Sequence, residues 1–307
     1  MAGGNRRAIL AALIANVGVA IMKFVAFAYT GATSMLAEGV HSLADTGNQL
    51  LLLLGSQRAN RAPTPAHPFG YGRERYFWAF VVAIVMFTLG SLFAIYEGVH
   101  KLREPEPLND IGWAVGVLLV AFVLEGSALR TAVVEAQKIR GDASWWEFIR
   151  RAKSPEIPVI LLEDCGALLG LGIALIGLGA AAATGDSRWD AGSSLGIGLL
   201  LGAIAGVMAV EMQSLLIGES ASPADQRAIV DALEADEQVI RVVHIRTEHL
   251  GPDELLIGAK LECDPDMTLR EVDRLIARAE GRVRAVIASA RVIYLEPCTR
   301  ETDRETI

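Results

Sequence analysis

The apolar segment SMLAEGVHSLADTGNQLLLLLG carries Glu38, His41, Asp45 and Asn48, with successive spacings of three, four and three residues. That spacing places all four on one stripe of an α-helix. A second apolar segment, PVILLEDCGALLG, carries the adjacent carboxylates Glu163 and Asp164. An imidazole and a carboxylate one helical turn apart present nitrogen and oxygen donors to one point, and a carboxylate from a facing helix can add a third ligand. Such a donor set suits a divalent cation. A site with three strong ligands and one weak or open position can also release its ion. The alternative reading is that His41 and Asp45 only hydrogen-bond each other or a neighbouring helix. Adjacent residues point about 100° apart on a helix, so one of Glu163 and Asp164 is expected to face the ion directly.

The segments that carry these groups are built for lipid. The 307-residue chain is 52% hydrophobic and only 21% charged, with mean hydropathy +0.38. Apolar stretches long enough to cross about 30 Å of hydrocarbon fall near residues 8–28, 34–56, 77–100, 111–134, 157–183 and 191–216. The first has a long apolar core without a small-residue cleavage pattern and runs into a second span, so it is expected to be a retained helix. Loops on one side carry Arg6, Arg7, Arg58, Arg61, Arg73, Arg75, Lys138, Arg140, Arg150, Arg151 and Lys153; the other side has Lys101, Arg103 and Arg188. This asymmetry places both termini in the cytoplasm, with a bacterial inner membrane as the simplest setting.

After residue 217 the composition changes. Residues 219–307 hold 12 Lys and Arg against 19 Asp and Glu, a net of −7 out of the chain's −8. A basic nucleic-acid footprint is excluded by this balance. Periodicity predicts helix, strand, strand, helix, strand from residue 224 onward. The expected architecture is an all-α six-helix transmembrane bundle over 1–217, a linker at 218–223, a small cytoplasmic αββαβ (ferredoxin-like α+β) domain over 224–300 and a tail at 301–307. Cys165, Cys263 and Cys298 form no CxxC pair and read as buried small hydrophobes.

Other ionisable groups in the apolar stretches are expected to have local roles. Lys23, Glu97 and His100 can snorkel to an interface, and Glu125 and Glu211 can line a cavity or pair with Arg130 or Lys23. The loop HPFGYGRERYFWAF at 67–80 reads as an interfacial anchor, with Arg73 and Arg75 meeting anionic headgroups. His67 there is a weak metal-ligand candidate.

With these residues in view, the chain resembles the cation diffusion facilitator family of divalent-metal transporters. HSLADTGNQ, HPFGYGRERYFWAF and LLEDCGALLG together are similar to the branch that contains zinc transporter nine. The resemblance implies a metal site of His41, Asp45 and Asp164. Ile160 stands where a fourth ligand is found in other members, which leaves Glu163, Asn48 or water to complete the set. A loop site that would use His67 has Tyr71 in place of a further His. In the terminal domain Lys260 and Tyr294 replace His positions, although Glu296 remains.

The expected function is a divalent-cation efflux transporter, not an enzyme, exporting Zn²⁺ or else Mn²⁺, Fe²⁺ or Co²⁺ from the cytoplasm by alternating access. Protons are the expected counter-substrate, because metal ligands must be deprotonated and histidine ordinarily titrates near neutrality. No resident cofactor is expected. The resemblance implies a homodimer held partly by the terminal domains. The alternative is a regulatory or assembly subunit of the same fold, made conceivable by Ile160. An intramembrane hydrolase is disfavoured by the lack of HExxH or of a nucleophile beside a His on these spans.

Overall fold

In a computed structural model the described residues are 2–299 except 106 and 109, with side chains from Asn16 onward; the 301–307 tail lies outside them. The chain divides into two compact units, one of residues 1–55 and 77–212 and the other of residues 56–76 and 213–307.

The first unit is helical. α1 (Ala2–Thr30) and α2 (Thr33–Ala59) are joined by a tight turn in which Gly31 takes a positive φ of 69°. α3 (Glu74–Val85) continues through a π-helical turn at Met86–Leu92 into α4 (Phe93–Arg103). α5 (Ile111–Arg140), α7 (Glu156–Thr184) and α8 (Arg188–Ile217) complete the long helices. A short helix that periodicity does not reveal, α6 (Trp145–Arg151), begins at Ser144, whose side chain accepts from the Glu147 N–H. Arg140 stacks 4.8 Å from the centre of the Trp145 ring.

All six predicted apolar stretches are thus helical. Four helices, Glu74–Arg103, Ile111–Arg140, Glu156–Thr184 and Arg188–Ile217, are long and apolar enough to cross a membrane. α2 is long enough, but its polar stripe dilutes its hydropathy, and the apolar part of α1 among the described residues is the shorter Asn16–Thr30. The core of this unit runs through Val19, Ala26, Met35, Ala114, Leu118, Ala121, Leu171, Leu178 and Leu201, drawn from five helices. Where lipid supplies no hydrophobic drive, close backbone approach holds helices together. On α8, a methyl group on Gly198 would lie 2.6 Å from the Ile95 side chain and 2.9 Å from the Ser91 carbonyl, so α8 lies flush against the π-helical turn only because that position is glycine.

A buried carboxylate caps α2. Asp190 of α8 accepts from the Thr33 N–H at 2.6 Å and also from the Ser34 backbone and hydroxyl. These donors are among those a helix start leaves unsatisfied. The N-terminal partial charge favours an anion at that place.

The second unit contains the predicted αββαβ order as α9 (Pro223–Glu234), β1 (Val239–Gly251), β2 (Glu254–Cys263), α10 (Leu269–Val286) and β3 (Ala290–Cys298). β2 is central: it pairs antiparallel with β1, Ile245 facing Ala259, and parallel with β3, Ala259 facing Leu295. A hairpin followed by a helical crossover produces this mixed sheet. Leu255, Ile257, Ala259 and Leu261 alternate along β2 and bury one face against Ile229 and Leu233 of α9 and Leu275, Ala279 and Val283 of α10. Each large aliphatic side chain so buried is worth about 1.5–3 kcal/mol. α10 starts with a capping box, Thr268 and Glu271 each satisfying the other's backbone N–H. Cys263 and Cys298 are buried, as expected, while Cys165 is partly exposed.

Candidate metal-transport site

The predicted stripe on α2 faces inward. Glu38, His41 and Asn48 are buried, with His41 only 1% exposed. His41 Nε2 lies 3.4 Å from Asp45 Oδ2. Neither ring nitrogen of His41 has a hydrogen-bond partner, and the same holds for Asp45 Oδ1 and Asn48 Oδ1. Buried polar atoms are seldom left so, and each calls for an explanation such as an ion. Beyond His41 stands the π-helical turn, with Gly90 at the position where a methyl group would come within 3.9 Å of His41 Nδ1. π-turns recur at functional sites.

Asp45 opens onto a small cavity of about 10 Å³ that is also lined by Asn16 of α1, Ser42 and Gln49 of α2, Glu125 of α5, and Glu163 and Asp164 of α7. A space of that size holds about one water molecule. The lining residues of α2, at 42, 45 and 49, again follow helical spacing, on a line slightly rotated from the 38, 41, 45, 48 stripe. Asp45 belongs to both lines. Both Glu163 and Asp164 line the cavity, although only one was expected to face it. The space lies on the boundary between their two directions. Asn48 donates to Glu163 Oε1 at 2.7 Å and ties α2 to α7.

The structure brings Asp45, Glu163 and Asp164 to one cavity and puts His41 beside Asp45. Among the described residues no three His, Cys, Asp or Glu side chains form a ready metal cluster. The donors surround a space without converging on one point.

Several other groups differ from expectation. Lys23 does not snorkel: it is fully buried and donates to Glu38 Oε2 at 3.0 Å and to Ser42 Oγ at 2.7 Å. Glu211 pairs with Arg150 at 3.3 Å, not with Lys23 or Arg130. Glu125 lines the cavity, one of the two roles expected of it, while Asn16 and Gln49 are further cavity residues that the sequence did not single out as ligands. Their signal was present only as polar residues in apolar helices. His67 is exposed and packs on Tyr71 at 4.7 Å between ring centres.

Arg73 and Arg75, expected at lipid headgroups, pair instead with Glu248 and Asp253 beside the β1–β2 turn. Gly72 lies so close to that turn that a methyl group there would stand 2.7 Å from the Leu250 carbonyl and 3.0 Å from Gly251 Cα. In the terminal domain Lys260 Nζ lies 3.8 Å from Glu296 Oε1. An ammonium there puts a donor where a metal ligand would need a lone pair.

Comparison with known proteins adds a family to this geometry. Residues 9–217 match the cation efflux transmembrane domain and residues 221–298 match the cytoplasmic domain of cation efflux proteins. The mitochondrial proton-coupled zinc antiporter SLC30A9 of Homo sapiens is 32% identical over 270 residues, covering 87% of this chain and 47% of that protein. Metal tolerance protein C4 of Arabidopsis thaliana is 30% identical over 90% of this chain and 61% of its own length. The cation-efflux pump FieF of Salmonella arizonae is 28% identical over 95% of this chain and 93% of its own. The chain spans about half the length of the animal antiporters it matches. Among solved structures, a MamM C-terminal domain in its cadmium form is similar at 22% identity, covering 25% of this chain and 96% of its own, with a TM-score of 0.24.

Proposed function

The chain belongs to the cation efflux family, and from that premise we propose that it exports a divalent metal ion, Zn²⁺ first among candidates, in exchange for protons. The observation that carries this reading is the water-sized cavity lined by carboxylates of α2 and α7, with the imidazole of His41, which lacks a hydrogen-bond partner, next to Asp45.

In this reading α1, α2, the α3–α4 helix, α5, α7 and α8 form six spans with both termini in the cytoplasm, and the ion enters from that side. Asp45 and Asp164 supply charge from two helices and His41 supplies nitrogen. Glu163, Asn48 or water completes the set. His nitrogen with carboxylate oxygen is a donor combination that Zn²⁺ accepts. The same donors take up protons when the ion leaves, so a proton gradient drives release. Because the donors do not yet converge on one point, binding requires α2 and α7 to close, and opening to the other side requires them to part. A homodimer held partly through the terminal domains completes the proposed assembly.

The test is flux into proteoliposomes that contain the full chain, read with a Zn²⁺ indicator under an imposed pH gradient. Wild-type protein should carry Zn²⁺ against the gradient, and Asp45→Asn with Asp164→Asn should abolish flux. Unchanged flux in the double variant would remove the site. A wild-type protein that neither carries nor binds metal would be the regulatory or assembly subunit instead.

A further inference from the structure

α5 contributes a carboxylate that neither the predicted ligand set nor any ion pair among the described residues uses. Ala114, Leu118 and Ala121 of α5 are buried in the helical core, and Glu125 continues that inward line by a further turn. Its neighbours Val123 and Leu124 point outward and are exposed. Glu125, partly exposed, therefore turns toward the bundle midway along α5, and in a membrane-spanning helix a carboxylate there costs a few kcal/mol unless something compensates it. Among the described residues no cation pairs with it. The buried cation of the helical unit among the described residues, Lys23, is engaged by Glu38 and Ser42. What Glu125 does reach is the cavity shared with Asp45, Glu163 and Asp164, beside the buried His41 ring that lacks a hydrogen-bond partner and is aimed at Asp45.

We propose that Glu125 is a ligand of the transported cation, so that the ion is held by three helices, α2, α5 and α7, and not by two. The proposal rests on the transport reading of this cavity and deepens it. The added donor is a hard oxygen. A set of one imidazole and several carboxylates accepts Mn²⁺ more readily than a set richer in nitrogen, since carboxylate donors suit that ion. Glu125 is then a specificity-determining residue as well as a source of affinity. It also makes α5 a moving part of the cycle, because the helix that carries a ligand must follow the ion's release.

The experiment is calorimetric titration of the purified full chain with ZnCl₂ and with MnCl₂, comparing wild type, Glu125→Gln, Glu125→Asp and Asp45→Asn, with thermal unfolding of each metal-free protein alongside. Glu125→Gln keeps the shape and loses the charge. It should weaken both metals by about 10-fold or more, at least the loss that follows removal of an outer-shell partner of a metal ligand, and weaken Mn²⁺ more than Zn²⁺, with metal-free stability equal or higher. Glu125→Asp, which keeps the carboxylate, should restore part of the Mn²⁺ affinity, and serves as the probe should the glutamine variant not fold. A purely structural Glu125 would instead lower metal-free stability and leave the Mn²⁺ to Zn²⁺ ratio unmoved, which overturns the proposal. Wild-type affinities in both Glu125 variants, with binding lost in Asp45→Asn, would overturn it while sparing the transport site. Binding retained in Asp45→Asn as well would show that the transport-site reading is itself at fault.

Discussion

A buried acid, Glu163, is held in place by an amide on the facing helix, Asn48. The Asn48 amide donates to Glu163 Oε1 at 2.7 Å while its own oxygen has no partner. Asn48→Leu removes the donor and leaves the carboxylate oxygen buried without one, at a cost of about 2 kcal/mol. Lower thermal stability of the metal-free protein in detergent, partly recovered by adding Zn²⁺, is the expected result. At this scale the α2 stripe was legible because lipid makes each polar residue conspicuous and a 3.6-residue period gathers Glu38, His41, Asp45 and Asn48. Glu125 was legible as a group that can line a cavity, but not as a neighbour of these particular carboxylates. α5 is apolar nearly all round, so its sequence does not tell the inward face from the lipid face, and the carboxylates it meets come from helices far away in the chain.

Between helices, the tie from α1 to α2 follows from their short connection. Two antiparallel helices joined at Gly31 bring residues at similar distances from the turn opposite each other, and Lys23 meets Glu38 and Ser42 in that way. The expectation that Lys23 would snorkel treated α1 alone and missed the anion that faces it. Lys23→Met should destabilise by about 3–5 kcal/mol, because it strands a buried carboxylate, whereas Lys23→Met combined with Glu38→Met should recover most of the loss. Chemical denaturation of the two variants side by side measures this. The cap on α2 can be tested in the same manner. Asp190→Ala deprives the Thr33 and Ser34 N–H groups of their acceptor, and a loss of about 1–2 kcal/mol is expected.

Over the whole molecule, each unit responds to its own conditions. In the second unit the hydrogen bond from Arg278, helped by Arg282, holds the Asp236 carboxyl below its ordinary range. A depressed value in the folded state means that the contribution to stability is present above the unfolded value of about 3.9 and is lost as pH falls through the folded value. Amide protection in α10, taken relative to the intrinsic exchange rate at each pH, should therefore fall on acidification below about pH 4, and in Asp236→Asn this pH-dependent component should vanish. The αββαβ order was legible from alternating and helical periods. The membership of residues 56–76 in the same unit was not, because Gly72, Arg73 and Arg75 read equally well as a turn and an anchor until the β1–β2 turn is present to receive them.

That membership bears on modularity. A unit assembled from residues 56–76 and 213–307 is not a cassette that can be cut at one junction. In a chimera that replaces only the terminal domain with a distant relative's, the Gly72 backbone would meet a turn it was not shaped for, and Arg73 and Arg75 would meet charges they were not matched to. Exchanging the loop and the terminal domain together keeps both halves of the contact from one parent. The joint transplant should assemble and resist protease in the loop, while the single one should be cleaved there. If related chains evolve by recombination, these two distant stretches are expected to travel as a pair.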